Sequence, residues 1–301
     1  MPELPDITAY IDALRVRLEG HALEQVQISS PFLLRTASPP VDVAVGHCVT
    51  GFERLGKRIA LGFDNDVWWV LHLMIAGRLR WRAEAPKRPS RTTLAVFTFD
   101  GGVLTLTEAG TKKRASLHVV EGSAAMRGMN PGGLEVMDAD LESFSNVFTA
   151  RNHTLKRALT DPRILSGIGN AYSDEILHRA GLSPVKLTQS LSADEIATLY
   201  AAVRDVLGEW TEKLRQESRE KFPEKVTAFR PDMAVHGRYG KPCPVCGSEV
   251  QRIRYASNET NYCPRCQTGG RLLADRSLSR LLKKDWPRSI EELEKSRGEN
   301  S

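Results

Sequence analysis

A secondary amine with a carboxylate beside it stands at the head of this chain, in Met1-Pro2-Glu3-Leu4-Pro5-Asp6. If Met1 is removed, as a small second residue favours, Pro2 becomes an N-terminal amine. Such an amine loses its proton more easily than a lysine and forms a Schiff base with a carbonyl carbon. Glu3 is then the neighbouring group able to move protons. The same residues also suit an ordinary helix start, with Pro5 in the first turn and Glu3 and Asp6 at its positive end. A second chemical pattern lies near the other end, where Cys243-Pro244-Val245-Cys246 and Cys263-Pro264-Arg265-Cys266 are separated by sixteen residues. That spacing delivers four thiolates to one tetrahedral zinc. Four cysteine ligands leave no position open for a substrate, so one structural zinc per chain is expected. Cys48 stands alone and reads as a small core residue.

Basic residues form the third group. Gly56 can supply a tight turn that projects Lys57, which could contact a phosphate or assist an elimination; a solvated lysine at a strand edge is the alternative. Ile75 lies in Leu71-His72-Leu73-Met74-Ile75-Ala76-Gly77-Arg78, an apolar stretch beside arginine, and could be a wedge for a base stack or a core residue. Lys112-Lys113-Arg114 forms a basic turn. Ser166-Gly167-Ile168-Gly169-Asn170 opens a helix and can offer backbone amides and the Asn170 amide to an anion, with Lys156, Arg157 and Arg163 nearby. A plain tight turn needs the same glycines.

Specific elements must position these groups. Ile7, Tyr10, Ile11, Leu14 and Leu18 recur at helical spacing behind Pro2 and would hold it in place. Between Leu23 and about Val120 the runs 26–28, 59–63, 67–71, 94–99 and 103–106 read as strands, giving a β-rich body, expected to be a sandwich. Gly128-Met129-Asn130-Pro131-Gly132-Gly133 breaks all periodicity and marks a boundary. Beyond it Ser192-Ala193-Asp194-Glu195 has the capping-box pattern, ahead of an apolar stripe from Ile196 to Leu214. Residues 250–255 and 260–262 read as two strands around a 256–259 turn, so the metal would hold a β-hairpin.

The composition bounds what such a chain can be. The 301 residues, 41% hydrophobic and 26% charged, fit a soluble globular protein of two domains. No apolar run approaches the roughly 18 residues that span a bilayer, and no basic-then-apolar leader opens the chain, so a cytosolic protein is expected. A net charge of +5 and a pI near 9.0, with Lys and Arg clustered in the second half, suit a polyanionic partner.

These motifs, in this order, resemble the formamidopyrimidine-DNA glycosylase and endonuclease VIII family. Residues 1–6 are similar to the family's start with Asp at the last position, and Gly56-Lys57 to its lysine turn. Residues 167–175 are similar to its helix–two-turn–helix signature, and 235–243 to the approach to its finger. The resemblance implies an α+β fold: an N-terminal helix and β-sandwich over 1–125, a linker over 126–140, and a helix–two-turn–helix domain over 141–235. A four-cysteine β-hairpin zinc finger over 236–270 and an extension over 271–301 would follow. It implies a monomeric bifunctional glycosylase and abasic-site lyase that acts on double-stranded DNA with damaged bases or abasic sites. Pro2 would be the nucleophile, Glu3 the proton carrier and Lys57 a phosphate ligand. Lys156, Asn170, Ile75, Arg252 and Arg254 would contact DNA, and the family's finger-tip arginine falls on Asn258. The loop 108–114 lacks the Arg and Phe of purine-specific members, which implies oxidised or ring-opened bases other than 8-oxoguanine as preferred substrates. A DNA-damage-binding paralogue with weakened chemistry is the alternative. In the extension, Leu272, Leu273, Leu278, Leu281 and Leu282 suggest a short basic amphipathic helix packed on the body.

Overall fold

The computed structural model describes residues 1–301 except 86–89, 220, 225, 228, 256–257, 275–286 and 299–301. The chain divides into two compact units, one of residues 1–133 and 208–227, the other of residues 134–207 and 228–301.

The first unit opens with helix α1 (Leu4–Leu18), whose apolar stripe of Ile7, Tyr10, Ile11, Leu14 and Leu18 is buried. A reciprocal capping box starts it: Glu3 N–H donates to Asp6 Oδ2 at 2.9 Å, and the Glu3 carboxylate accepts the Asp6 N–H. Among the described residues, eight strands follow as two antiparallel sheets. One is ordered β1 (Leu23–Ile28), β6 (Thr93–Phe99), β7 (Gly102–Glu108) and β5 (Gly77–Arg82). The other is ordered β2 (Val49–Leu55), β3 (Arg58–Phe63), β4 (Val67–His72) and β8 (Ser116–Glu121). Alternate side chains of both sheets, such as Leu61, Trp69, Leu71, Phe97, Leu104 and Leu117, join the inner face of α1 in one core. Removing those side chains from water is the main force holding the layers together. A short helix α2 (Ser123–Gly128) covers the outer face of the second sheet, with Met126 packed on Leu55, Ala60 and Val70.

In the second unit, α3 (Leu141–Thr149), α4 (Leu155–Thr160) and α5 (Asn170–Arg179) lead to α6 (Ala193–Ser218), whose last turns belong to the first unit. The expected capping box is present, Ser192 N–H meeting Glu195 Oε2 at 2.9 Å and Glu195 N–H meeting Ser192 Oγ at 3.2 Å. Strands β9 (Gln251–Tyr255) and β10 (Asn258–Tyr262) form the hairpin, followed by α7 (Pro264–Thr268). Asn258 and Glu259 thus lie within a strand, not in the turn, because cross-strand pairing continues to Tyr255.

The extension differs from the sequence expectation. Leu272 and Leu273 are not helical: Leu272 N–H donates to Arg288 O at 2.9 Å and Leu273 N–H to Tyr262 Oη at 2.8 Å. Both side chains are buried, and packing there outweighs local helical spacing. Leu278, Leu281 and Leu282 lie outside the described residues. Helix α8 (Ile290–Gly298) follows, with Ile290 wholly buried and its N–H on Gly270 O at 2.9 Å. Among the described residues no helix is long and apolar enough to cross a membrane.

Candidate active site and metal centre

In the first unit the reactive groups collect at the start of α1. Pro2, Glu3 and Asp6 are buried, and the capping box fixes the backbone that carries Pro2. The amine heading the chain in the structure is that of Met1, one residue outward. Burial pushes it below the ordinary α-amino value; Glu3 and Asp6 oppose this, while Arg78 and Lys57 reinforce it. The Met1 amine therefore keeps its lone pair at lower pH than a free one.

Two turns bring the cations that act on it, Lys57 and Arg78, and a third, the loop after β7, lies beside the second at Ala76. Between β2 and β3, Gly56 takes a φ of 62°, left-handed backbone that a glycine adopts without strain, and Lys57 follows, half-buried. Between β4 and β5, Gly77 N–H closes the turn on Leu73 O at 2.9 Å, and Arg78 Nη1 donates to Ile75 O at 3.1 Å and Gly77 O at 2.7 Å. This turn holds Met74 at a φ of 54°, costly for a residue with a Cβ, and leaves Ile75 55% exposed. Between β7 and β8, the buried Glu108 carboxylate accepts the Arg114 N–H at 2.9 Å and the Ala115 N–H at 3.2 Å, and Lys113 Nζ donates to Glu108 O. The loop is thus held from its base. Its outer residues Ala109, Gly110, Thr111 and Lys112 include no bulky apolar side chain.

His72, at the end of β4, was not singled out by the sequence. It pairs with Arg58 across the sheet, and its Nε2 finds no hydrogen-bond partner among the described residues. Burial, with Arg58, Lys57 and His118 adding to it, lowers its pKa to about 4. The only sequence signal for it is its place one residue beyond the apolar run of β4.

In the second unit Asn170 is the first residue of α5, reached through Gly167 at a φ of 80°. Its Nδ2 donates to Glu259 O of the hairpin at 2.9 Å. Lys156, on α4, is mostly buried; its Nζ lies 2.7 Å from Asn170 O and 2.5 Å from Asp174 Oδ1. The other Asp174 oxygen accepts from His236 Nδ1 at 2.8 Å and Asn261 Nδ2 at 3.4 Å. Glu175 accepts the N–H groups of Ala234, Val235 and His236 at 2.7, 2.9 and 2.9 Å. Burial raises its pKa, and these three donors hold it back. Helix α5 is thereby fastened to the segment that enters the finger. Arg252 stacks over Tyr239, 4.2 Å from ring centroid to guanidinium carbon, and reaches Glu259 Oε2 at 3.3 Å. Arg254, opposite Glu259, and Asn258, opposite Tyr255, have exposed side chains.

The four finger cysteines come together as the spacing predicts. All four Sγ atoms lie within 4.8 Å of one another, with Cys243 to Cys266 at 3.9 Å and Cys246 to Cys263 at 3.4 Å. Zinc–sulfur bonds of about 2.3 Å in a tetrahedron need sulfurs roughly this far apart. Burial pushes the Cys263 thiol up to about 11, a cost that a cation bound among the four sulfurs would offset. The donor set therefore fits one structural zinc held by Cys243, Cys246, Cys263 and Cys266.

A β-sandwich headed by an amine, a glycine turn opening a helix and a four-cysteine hairpin define a class of DNA-repair protein. Residues 1–114 match the formamidopyrimidine-DNA glycosylase N-terminal domain, 132–220 the H2TH domain of that enzyme, and 240–269 the zinc finger found in FPG and IleRS. The formamidopyrimidine-DNA glycosylase of Heliobacterium modesticaldum is 33% identical over 277 residues, covering 89% of this chain and 100% of the relative. A formamidopyrimidine-DNA glycosylase-like protein of Mycobacterium tuberculosis is 40% identical over 163 residues, 54% of this chain and 99% of its own length. The MutM (FPG) protein of Thermus thermophilus superposes with a TM-score of 0.75 at 30% identity, over 88% of this chain and 98% of that one. The Lactococcus lactis Fpg in complex with DNA containing an abasic site has the same fold, with a TM-score of 0.78 over 88% of this chain and 99% of that one, at 22% identity. The chain belongs to the formamidopyrimidine-DNA glycosylase family.

Proposed function

We propose that this protein is a bifunctional DNA glycosylase and abasic-site lyase with Pro2 as its nucleophile once Met1 is removed. The observation that carries the reading is the desolvated amine position at the head of α1, flanked by the Glu3 carboxylate and the Lys57 and Arg78 cations. The damaged nucleotide leaves the stack, because its C1′ atom is out of reach inside a duplex. The Pro2 lone pair bonds to C1′, the glycosidic bond breaks, and the base departs with a proton. Glu3 relays protons as the sugar ring opens to an iminium. The iminium acidifies the neighbouring C2′ proton, so the strand breaks by elimination at the 3′ phosphate and then the 5′ phosphate. Hydrolysis of the iminium returns the free amine.

Ile75, exposed on its strained turn, fills the space that the flipped base leaves, and Lys57 holds a phosphate beside the lesion. Asn170 and the glycine turn lie along the backbone of the partner DNA, with Arg254 and Arg252 contributing from the hairpin in place of an arginine at Asn258. Lys156 acts from beneath, by neutralising Asp174 and holding Asn170. The short, polar outer loop at 109–112 supports a preference for oxidised or ring-opened bases other than 8-oxoguanine.

The test is borohydride trapping on duplex DNA with one abasic site, using protein whose N-terminus has been verified by mass spectrometry. An adduct on Pro2 that disappears in Pro2→Gly is expected. Correctly processed protein that binds the DNA but yields neither adduct nor strand break would replace this reading with that of a damage-binding paralogue.

A further inference from the structure

Helix α5 reaches the metal centre directly. His178, in its last turn, is only 8% exposed, and its Nε2 lies 3.2 Å from Cys243 Sγ. Cys243 is itself buried, in a small apolar cluster with Val235, Val250 and Cys263. A metal-bound thiolate carries no proton, so in the loaded protein the imidazole Nε2–H is the donor. A hydrogen bond of this kind draws charge from the sulfur and fixes the direction of its lone pairs.

We propose that His178 is a positioning residue of the zinc centre, donating to the Cys243 thiolate and so tying α5 to the metal's coordination shell. The consequence extends along the helix. One turn earlier Asp174 and Glu175 hold His236 and residues 234–236, and at the helix start Asn170 holds Glu259 of the hairpin. Zinc occupancy and the placement of α5 therefore stabilise each other, since each fixes groups that the other needs. None of this depends on which residue is the nucleophile.

Zinc release from the full-length, zinc-loaded protein to a chromogenic chelator tests it. His178→Phe fills the volume without a donor, and zinc affinity should fall about ten- to hundred-fold. His178→Gln, which keeps an N–H donor, should stay closer to the parent. In the cobalt-substituted protein the thiolate-to-cobalt charge-transfer band should move to longer wavelength in His178→Phe, because the sulfur regains electron density. Unchanged zinc release and an unchanged band in a folded His178→Phe protein would reduce the contact to packing. Should that variant fail to fold, the unmutated protein still decides the matter. With 113Cd in place of zinc, a scalar coupling between the metal and the His178 Nε2 proton is expected, and its absence overturns the proposal.

Discussion

His72 concentrates the consequences of burial at a single residue. Its folded-state pKa of about 4 lies below the ordinary histidine value of 6.5, so between those values the unfolded chain binds a proton that the folded one does not. Stability from this group is complete above pH 6.5 and is lost as pH falls toward 4. The loss is capped at roughly 3.5 kcal/mol, because the two values lie about 2.5 apart and each tenfold change in proton affinity is worth about 1.4 kcal/mol. Carboxylates titrate in the same range, so the comparison that isolates His72 is urea unfolding of the parent and His72→Gln at pH 5 and pH 7.5. The parent should lose about 2 kcal/mol more on acidification than the variant; equal losses would show that His72 is solvated. The four cysteines were legible in the sequence because their spacing is local, and Pro2 and Glu3 could be singled out there because the chemistry proposed for them is intrinsic to their residue types. His72 was not, because the neighbours that depress it, Arg58 and His118, come from β3 and β8.

Elements decide what Lys156 does. As a ligand reaching into solvent it would contribute almost nothing to folding, and its loss would change stability by under about 0.5 kcal/mol. In the structure it is the partner of a fully buried carboxylate. Lys156→Ala should therefore cost about 3–5 kcal/mol in urea unfolding, because Asp174 is left charged and incompletely paired. Loss of DNA affinity would follow from displaced α5 and hairpin, and a variant with parental stability would return Lys156 to the role of direct phosphate ligand. The five strands expected from apolar runs are all present, yet β2, β5 and β8 were not foreseen. Val49–Leu55 contains Gly51, Glu53 and Arg54, and β5 alternates arginine with Leu79 and Trp81. Such segments become strands because neighbouring strands offer ladder partners, and strand preference depends more on that context than on intrinsic propensity.

At the scale of the whole molecule the chain order and the compact units do not coincide. Residues 208–227 belong to the first unit, where Phe222 and Val226 pack on its core and Arg82 pairs with Glu224. The extension belongs to the second unit and is anchored by Ile290 against the end of the finger. Ile290→Asp should release that anchor. In hydrogen exchange, amide protection at Leu272, Leu273 and Ile290 should vanish while α1 and the sandwich strands keep theirs, as expected for local and not global opening. Protection lost everywhere at once would mean that the extension is an integral part of the fold.

The sequence by itself determined the metal site and the class of architecture and suggested the chemistry: a proline and a glutamate at the head of the chain, a four-thiolate spacing, a glycine turn before a helix, and apolar periods of helix and strand. Each of these is written in residue type and short-range spacing. Only the tertiary structure decided which polar groups are committed to one another. Lys156 meets Asp174, Asn170 meets Glu259, His178 meets Cys243, and Leu273 meets Tyr262, across gaps of 18, 89, 65 and 11 residues. Partners that distant are set by how the elements pack, and packing depends on burial summed over the whole chain, which no local pattern carries.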